Sequence, residues 1–210
     1  MGNGLRWIAN GYNGSYTFTL CQDITPQELL VRIGAKPHHI HELTDLAVEE
    51  LLVRQEDGHL SDLEFLDWED EVLVARLTEA GFLSHPETIV RAGAVPGWAY
   101  AIESFTTRSR NHLGELSRGT RAYTVFSSGA GMQRVGHARD GRVLSDYEPR
   151  EAAGPGAAET EEQIPGFTYT GEETADRAFL GFLEDELGIH IAWKDTLAPL
   201  PTAAFADAFS

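Results

Sequence analysis

Cysteine is almost absent from the chain: its 210 residues include one, Cys21. A single thiol excludes an internal disulfide framework and any zinc site built from several cysteines. Cys21 ends an alternating apolar run that begins at Tyr16, and free cysteine in such a setting behaves as a small, buried hydrophobic residue. We therefore expect an unreactive core thiol. A nucleophilic cysteine is the alternative, and no neighbouring residue in the sequence supports it.

Long apolar runs are missing as well. No stretch approaches the roughly 20 apolar residues that a helix needs to cross a bilayer. The first residues, Met1–Trp7, lack the basic segment and apolar core of a signal peptide. We expect a cytoplasmic protein that is not embedded in a membrane.

Basic residues are scarce: 16 Lys and Arg stand against 33 Asp and Glu, which gives a formal net charge of −17. This balance argues against binding to the nucleic-acid backbone, because that mode needs cationic surface to release counterions. It suits a protein partner with a basic surface, since complementary charge speeds association. It is equally compatible with simple solubility.

Recognisable catalytic and metal-binding motifs are also lacking. The densest candidate cluster is His38, His39, His41 and Glu42, which comes close to the zinc-protease pattern. Asp45 stands where the second histidine of that pattern is required. A solvated loop is the better interpretation. We predict no catalytic residue, no metal and no cofactor, and leave open whether the protein is an enzyme.

The N-terminal half carries clear local signals. Residues 16–21 alternate as a half-buried strand does. Thr25, Pro26 and Glu28 have the spacing of a capping box, which predicts a helix that ends at Gly34.

A second helix is predicted over residues 44–54. Its spacing places Leu46, Leu51 and Leu52 in the core and turns Glu49 and Glu50 outward.

The C-terminal half is richer in strand patterns. Strands are predicted over residues 88–95, 97–103, 121–127, 132–139 and 142–147, and an amphipathic helix over 174–187. These elements indicate an α+β fold, with a mainly antiparallel sheet of about six strands and helices packed on one face. Residues 1–210 are predicted to form a single domain, with a low-complexity loop or linker at 151–164 and a loosely ordered tail at 197–210.

Charge is distributed unevenly, which suggests two candidate surfaces. Residues 91–142 contain eight arginines and three acidic residues, whereas the flanking segments carry most of the negative charge. A partner-binding surface is predicted at an acidic run that surrounds an aromatic residue expected to be exposed: Asp62, Glu64, Asp67, Trp68, Glu69, Asp70 and Glu71. The alternative is a ligand pocket over the sheet, formed by Arg91, Trp98, Tyr100, Arg121, Tyr123 and Arg134. Alternating aromatic residues are also what an ordinary core contains.

Three stretches resemble an uncharacterised family of small proteins common in actinobacteria such as Streptomyces. They are the strand at 16–21 with the helix at 24–35, the segment Gly97-Trp-Ala-Tyr-Ala-Ile-Glu103, and the segment Leu116-Ser-Arg-Gly-Thr-Arg-Ala-Tyr-Thr-Val-Phe126 with the later 140–147. The resemblance implies a shared fold and carries no activity or site residue. The chain departs from the family at Ser127–Gly131, where an Asn-rich segment is expected, and in a longer acidic insert at 56–71.

Two functions follow as hypotheses. The first is a non-enzymatic binding protein, such as an immunity or anti-defence partner, that uses the acidic surface. The second is a small-ligand-binding protein or enzyme for an anionic compound. The sequence does not determine the oligomeric state.

Overall fold

The backbone is organised around an eight-stranded antiparallel sheet in a computed structural model that describes residues 3–11, 15–57, 65–152 and 163–206. The strands of the described residues are β1 (Asn3–Gly4), β2 (Tyr16–Gln22), β3 (His41–Leu43), β4 (Thr88–Val95), β5 (Trp98–Ser104), β6 (Arg121–Ser127), β7 (Gln133–Arg139), β8 (Arg142–Tyr147), β9 (Ile191–Ala192) and β10 (Leu200–Phe205). The helices are α1 (Ile8–Gly11), α2 (Pro26–Arg32), α3 (Asp45–Asp57), α4 (Glu71–Glu79), α5 (Arg108–Asn111), α6 (Leu113–Leu116), α7 (Pro149–Ala152), α8 (Ala175–Leu187) and α9 (Trp193–Thr196), with a 3₁₀ turn at Pro37–His39.

The strand order is β3-β10-β4-β5-β2-β6-β7-β8, and β1 pairs separately with β9. All of these pairings are antiparallel. The predicted α+β fold with an antiparallel sheet is confirmed, and the sheet has eight strands where about six were expected. The two additional strands, β3 and β10, are short segments whose sequences carry weak strand signals.

Helices cover both faces of the sheet, so the prediction that they pack on one face is wrong. On β2 the even-numbered Phe18 and Leu20 belong to a core cluster that includes Phe179 of α8. The odd-numbered Cys21 belongs to a different cluster, with Leu29 of α2. The physical reason is that β2 is buried throughout Tyr16–Cys21, and a strand buried on both sides requires cover on both. We call the two sides the aromatic face and the alanine face, after their main side chains.

The C-terminal segment is a paired strand, which corrects the predicted loosely ordered tail. Within residues 197–206, β10 inserts between β3 and β4, with Thr202 paired to both His41 and Arg91. Thr202 and Ala203 are fully buried. The sequence of β10 has little β propensity, because it contains Pro201 and two alanines. Pairing with β3 on one side and with β4 on the other offsets the entropy cost of ordering this segment.

Helices α3 and α4 share a third core cluster, which includes Leu51 and Leu77. Two expectations for α3 are wrong. Leu46 is exposed, and Ala47 and Val48 are buried in its place. Glu50 is also buried, because amides from the segment before α4 converge on its carboxylate.

Several local predictions are confirmed. The Thr25 hydroxyl accepts a hydrogen bond from the Glu28 amide at the start of α2. Asp140 and Gly141 both have positive φ in the turn between β7 and β8, as a type I′ hairpin requires. Of the predicted linker at 151–164, residues 153–162 lie outside the described residues. No helix of the described chain is long and apolar enough to cross a membrane.

Candidate binding groove

A cavity of about 400 Å³ opens on the aromatic face between α3 and the segment that begins α9. Its floor is formed by β4 and β5, and its walls by α3, Gly11 and Trp193. We call it the α3 groove. Its lining combines the apolar side chains Val48, Leu52, Ile89 and Ile102 with the charged side chains Asp45, Glu49, Glu87 and Arg91.

Secondary structure explains why these residues meet. Asp45, Val48, Glu49 and Leu52 are spaced by three and four positions, so they share one face of α3. On the floor, alternate residues of a strand share a face of the sheet. Arg91 is paired directly with Ile102 on β5, which places both side chains in the groove.

Arg91 is a buried charged residue of the groove, with only 5% of its surface exposed. Its Nη1 lies 2.6 Å from Asp45 Oδ1, and its Nη2 donates to the carbonyl of Ala198 at 3.1 Å. A buried guanidinium is stable when a carboxylate and carbonyl oxygens surround it in this way. Arg91 therefore ties β4 to the first turn of α3 and to the segment before β10, and its charge is matched within the protein.

Unlike Asp45, Glu49 has a carboxylate that forms neither a hydrogen bond nor an ion pair within the described part of the chain. Desolvation raises the pKa of Glu49, and the neighbouring Asp45 raises it further, while Arg91 lowers it. With Glu87 also at the cavity wall, three carboxylates and one guanidinium line the groove among the residues that the structure describes. The groove is therefore acidic and suited to a cation.

Two exposed aromatic residues border the same cavity. Phe105 is 72% exposed and Trp193 is 37% exposed. Phe105 has φ of 62°, an uncommon conformation for a bulky residue, and its amide donates to the carbonyl of Ser15 at 2.9 Å. An aromatic ring beside carboxylates offers a lysine or arginine side chain two kinds of contact. The ring attracts the cation and packs against its aliphatic stem.

Only part of the acidic run predicted as a partner surface lies within the described residues. Asp62 and Glu64 fall outside the described residues. Asp67, Glu69, Asp70 and Glu71 are exposed, and Asp70 is also the N-cap of α4, where it accepts from the amides of Val72 and Leu73.

Trp68 is half-buried and packs against the third core cluster. Its indole N–H donates to the Glu50 carboxylate. The expectation that Trp68 is exposed is therefore wrong.

The residues predicted for a ligand pocket lie in several separate parts of the structure. Trp98, Tyr100 and Tyr123 are buried in the core of the aromatic face. Arg91 lies in the α3 groove, and Arg121 lies beside Trp98, with its guanidinium carbon 5.1 Å from the ring centre. Arg134 is paired with Phe126 on the alanine face and contacts Asp146 at 3.1 Å. The three arginines do not converge on one pocket.

Other candidate chemistry is accounted for within the described residues. Cys21 is fully buried, as predicted, and burial raises the pKa of its thiol to about 12. His41 contacts Arg76 through Nδ1 at 3.1 Å. The described residues contain no group of three or more His, Cys, Asp or Glu side chains that could hold a metal ion.

Sequence reasoning missed the acidic groove and its aromatic border. The four-residue spacing of Asp45 and Glu49 was a usable signal, because it places two carboxylates on one helix face. Phe105 and Trp193 gave none, since they come from chain segments that meet only in the folded sheet.

Residues 5–178 match the model of a family described as "Family of unknown function (DUF6461)". The chain belongs to DUF6461. No curated protein and no solved structure matches it. The DUF6461 match covers α3, β4 and β5, which form the floor and one wall of the groove, and ends before Trp193 and β10.

Proposed function

We propose that this protein is a non-enzymatic protein-binding domain that receives a basic segment of its partner in the α3 groove. The observation that carries the proposal is the Glu49 carboxylate, which has no ion pair in the described residues and lies on a partly apolar cavity wall. Glu49 is exposed, and partial desolvation together with the neighbouring Asp45 raises its pKa, so its charged form carries a cost in the isolated protein. A partner cation would offset that cost.

A lysine or arginine side chain fits the lining of the groove. Its aliphatic stem would cover Val48, Leu52 and Ile89, and its charged end would meet Glu49. Trp193 would add a cation–π contact of about 1 kcal/mol. An anion fits less well, since Arg91 is already matched by Asp45 at 2.6 Å.

The charge of the whole chain supports the same partner class. A net charge of −17 speeds encounter with a basic protein and makes the encounter sensitive to salt. The exposed carboxylates of Asp67, Glu69 and Glu71 form a second set of contacts in this proposal. Binding that covers a basic surface in the cytoplasm is the chemistry expected of an immunity or anti-defence partner.

Fluorescence anisotropy with short labelled peptides tests the proposal. We expect a peptide rich in Lys and Arg to bind in low salt, and an acidic peptide of equal length to remain free. Replacing Glu49 by Gln removes a charged contact and should weaken binding by about tenfold. Trp193→Ala should weaken it as well.

The matched control is Glu115→Gln, which removes an exposed carboxylate on α6, on the alanine face. If this control and Glu49→Gln weaken the basic peptide equally, binding follows net charge alone and the groove is not the site. Equal binding of acidic and basic peptides would reject the partner class itself.

A further inference from the structure

Three arginines lie side by side across neighbouring strands at one end of the sheet. Arg121 of β6 is paired directly with Arg139 of β7, and Arg139 is paired directly with Arg142 of β8. Directly paired residues point to the same face of a sheet and are about 5 Å apart. We call this set the arginine row.

Like charges in directly opposed positions destabilise a sheet, and the surrounding acids compensate this row incompletely. Asp140 lies 3.5 Å from Arg139, but both side chains are more than two-thirds exposed, so the pair contributes little. Among the described residues, Asp23 and Asp140 are the carboxylates that line the cavity beside the row, together with Arg121 and Arg139. Arg142 adds a third guanidinium through its direct pairing with Arg139.

The innermost arginine is held in place by its neighbours. Arg121 Nε donates to Gln22 Oε1 at 2.7 Å, and its guanidinium lies over Trp98. These contacts fix the side chain without neutralising it, because an amide oxygen and an aromatic ring carry no formal charge. The group is preorganised for an anion.

A cavity of about 290 Å³ lies directly beside Arg121 and Arg139. Its other walls come from Gln22, Asp23, Thr120 and Asp140, together with the backbone at Gly119. Its side chains are polar or charged, so a ligand with a large apolar part gains little there. The size suits a compact anion better than a peptide.

We propose that the arginine row binds a small phosphate-bearing anion. Arginine matches phosphate oxygens with paired N–H donors, and adjacent guanidiniums can hold linked phosphate groups. Trp98 is only 7% exposed and lies under Arg121, so it offers no free ring for a base to stack on. Recognition is directed at the phosphates.

The arginine row is separate from the α3 groove. The row lies at the Trp98 end of β5, whereas the groove is lined by Ser104 and Phe105 at the other end of the same strand. A substitution that removes binding at one site should therefore leave binding at the other site measurable.

Titration calorimetry with sodium pyrophosphate, on the full chain in low-chloride buffer, tests the proposal. We expect saturable binding that Arg139→Gln and Arg142→Gln each weaken by about tenfold. The control Lys36→Gln removes an exposed cation beyond α2 and should leave the affinity unchanged. Side-chain Nε signals of isotope-labelled arginine should shift for Arg121 and Arg139 on addition of pyrophosphate.

Folding is checked separately. Because the arginines repel one another, Arg139→Gln should melt at the same or a higher temperature than the wild type without pyrophosphate. Equal affinity of Arg139→Gln and Lys36→Gln would overturn the site. If malonate binds as tightly as pyrophosphate, the assignment to phosphate is wrong. If an acidic peptide binds more tightly than pyrophosphate, the ligand is a peptide and the proposal of a small anion is wrong.

Discussion

At the scale of single residues, two buried glutamates hold segments of backbone in place. Glu103 is 1% exposed and accepts from the amides of Arg108 and Ser109, which are the first amides of α5. Glu50 accepts from the amides of Phe65 and Leu66. In both cases the carboxylate satisfies donors that would otherwise be buried without a partner, which is costly.

Glu50→Ala should reduce the free energy of unfolding by about 3 kcal/mol, because it leaves two amides and an indole N–H without their acceptor. Urea unfolding followed by tryptophan fluorescence measures the change, since Trp68 is one of the three donors. Glu49→Ala, one position away on α3, is the control and should change stability by less than about 0.5 kcal/mol. Equal effects of the two substitutions would show that Glu50 has no special structural role.

Glu49→Gln should leave the unfolding midpoint unchanged or raise it near neutral pH. The pKa of Glu49 is higher in the folded protein than its ordinary value, so its ionised form opposes folding. That penalty is present above the folded pKa and disappears as pH falls below the unfolded one. Thermal melts of wild type and variant across this range should therefore converge in acid. A variant less stable than wild type at neutral pH would contradict the direction.

At the scale of elements, α4 shows how an acidic residue can be structural. Asp70 accepts from the amides of Val72 and Leu73 at 2.9 and 3.1 Å, which is the standard contact of a helix N-cap. Asp70→Ala should cost about 1 kcal/mol in the free energy of unfolding. Glu71→Gln, in the first turn of the same helix, should cost less, by urea unfolding. If both cost the same, the effect is charge near the helix end and not the cap.

Strand β10 should be among the most protected segments of the backbone. Residues 200–202 pair with β3 and residues 202–205 pair with β4, so the strand lies inside the sheet and its amides exchange through large-scale opening. Native-state hydrogen exchange should show Ala203 and Phe205 as slow as residues of β4. Exchange of β10 within minutes, at the rate of the Phe105 loop, would contradict its place inside the sheet.

The elements that sequence could predict are those whose signals are local. The cap at Thr25 and the turn at Asp140 and Gly141 lie within a few residues of the structure they produce. Strand β10 pairs with residues more than 100 positions away, and its own composition gives no such hint. The same holds for Glu50, whose burial depends on donors that come 15 to 18 positions later.

At the scale of the whole molecule, charge opposes compactness. With a net charge of −17, the folded chain repels itself, and salt screens that repulsion. Raising sodium chloride from about 20 to about 200 mM should increase the melting temperature by a few degrees. Glu172→Lys, an exposed substitution, should flatten this dependence. A melting temperature that falls with salt would mean that attractive ion pairs outweigh repulsion.

The candidate site could be predicted only in part, and for a related reason. The acidity of α3 is readable from the spacing of Asp45 and Glu49, whereas the groove also needs β4, β5 and Trp193. The arginine row depends on the register between β6, β7 and β8, which turns a scattered set of arginines into neighbours. The composition of residues 91–142 shows an excess of arginine, but it does not show which of these arginines are neighbours in the fold.

The position of β10 also has a consequence for synthesis. Until the ribosome has made residues 200–205, the edge of β4 that β10 covers is open and β3 has no neighbour in the sheet. An uncovered edge of this kind readily pairs with other chains. The nascent protein can close its sheet only when residues 200–205 have left the exit tunnel, so any stall or truncation before that point releases a chain with a sticky edge.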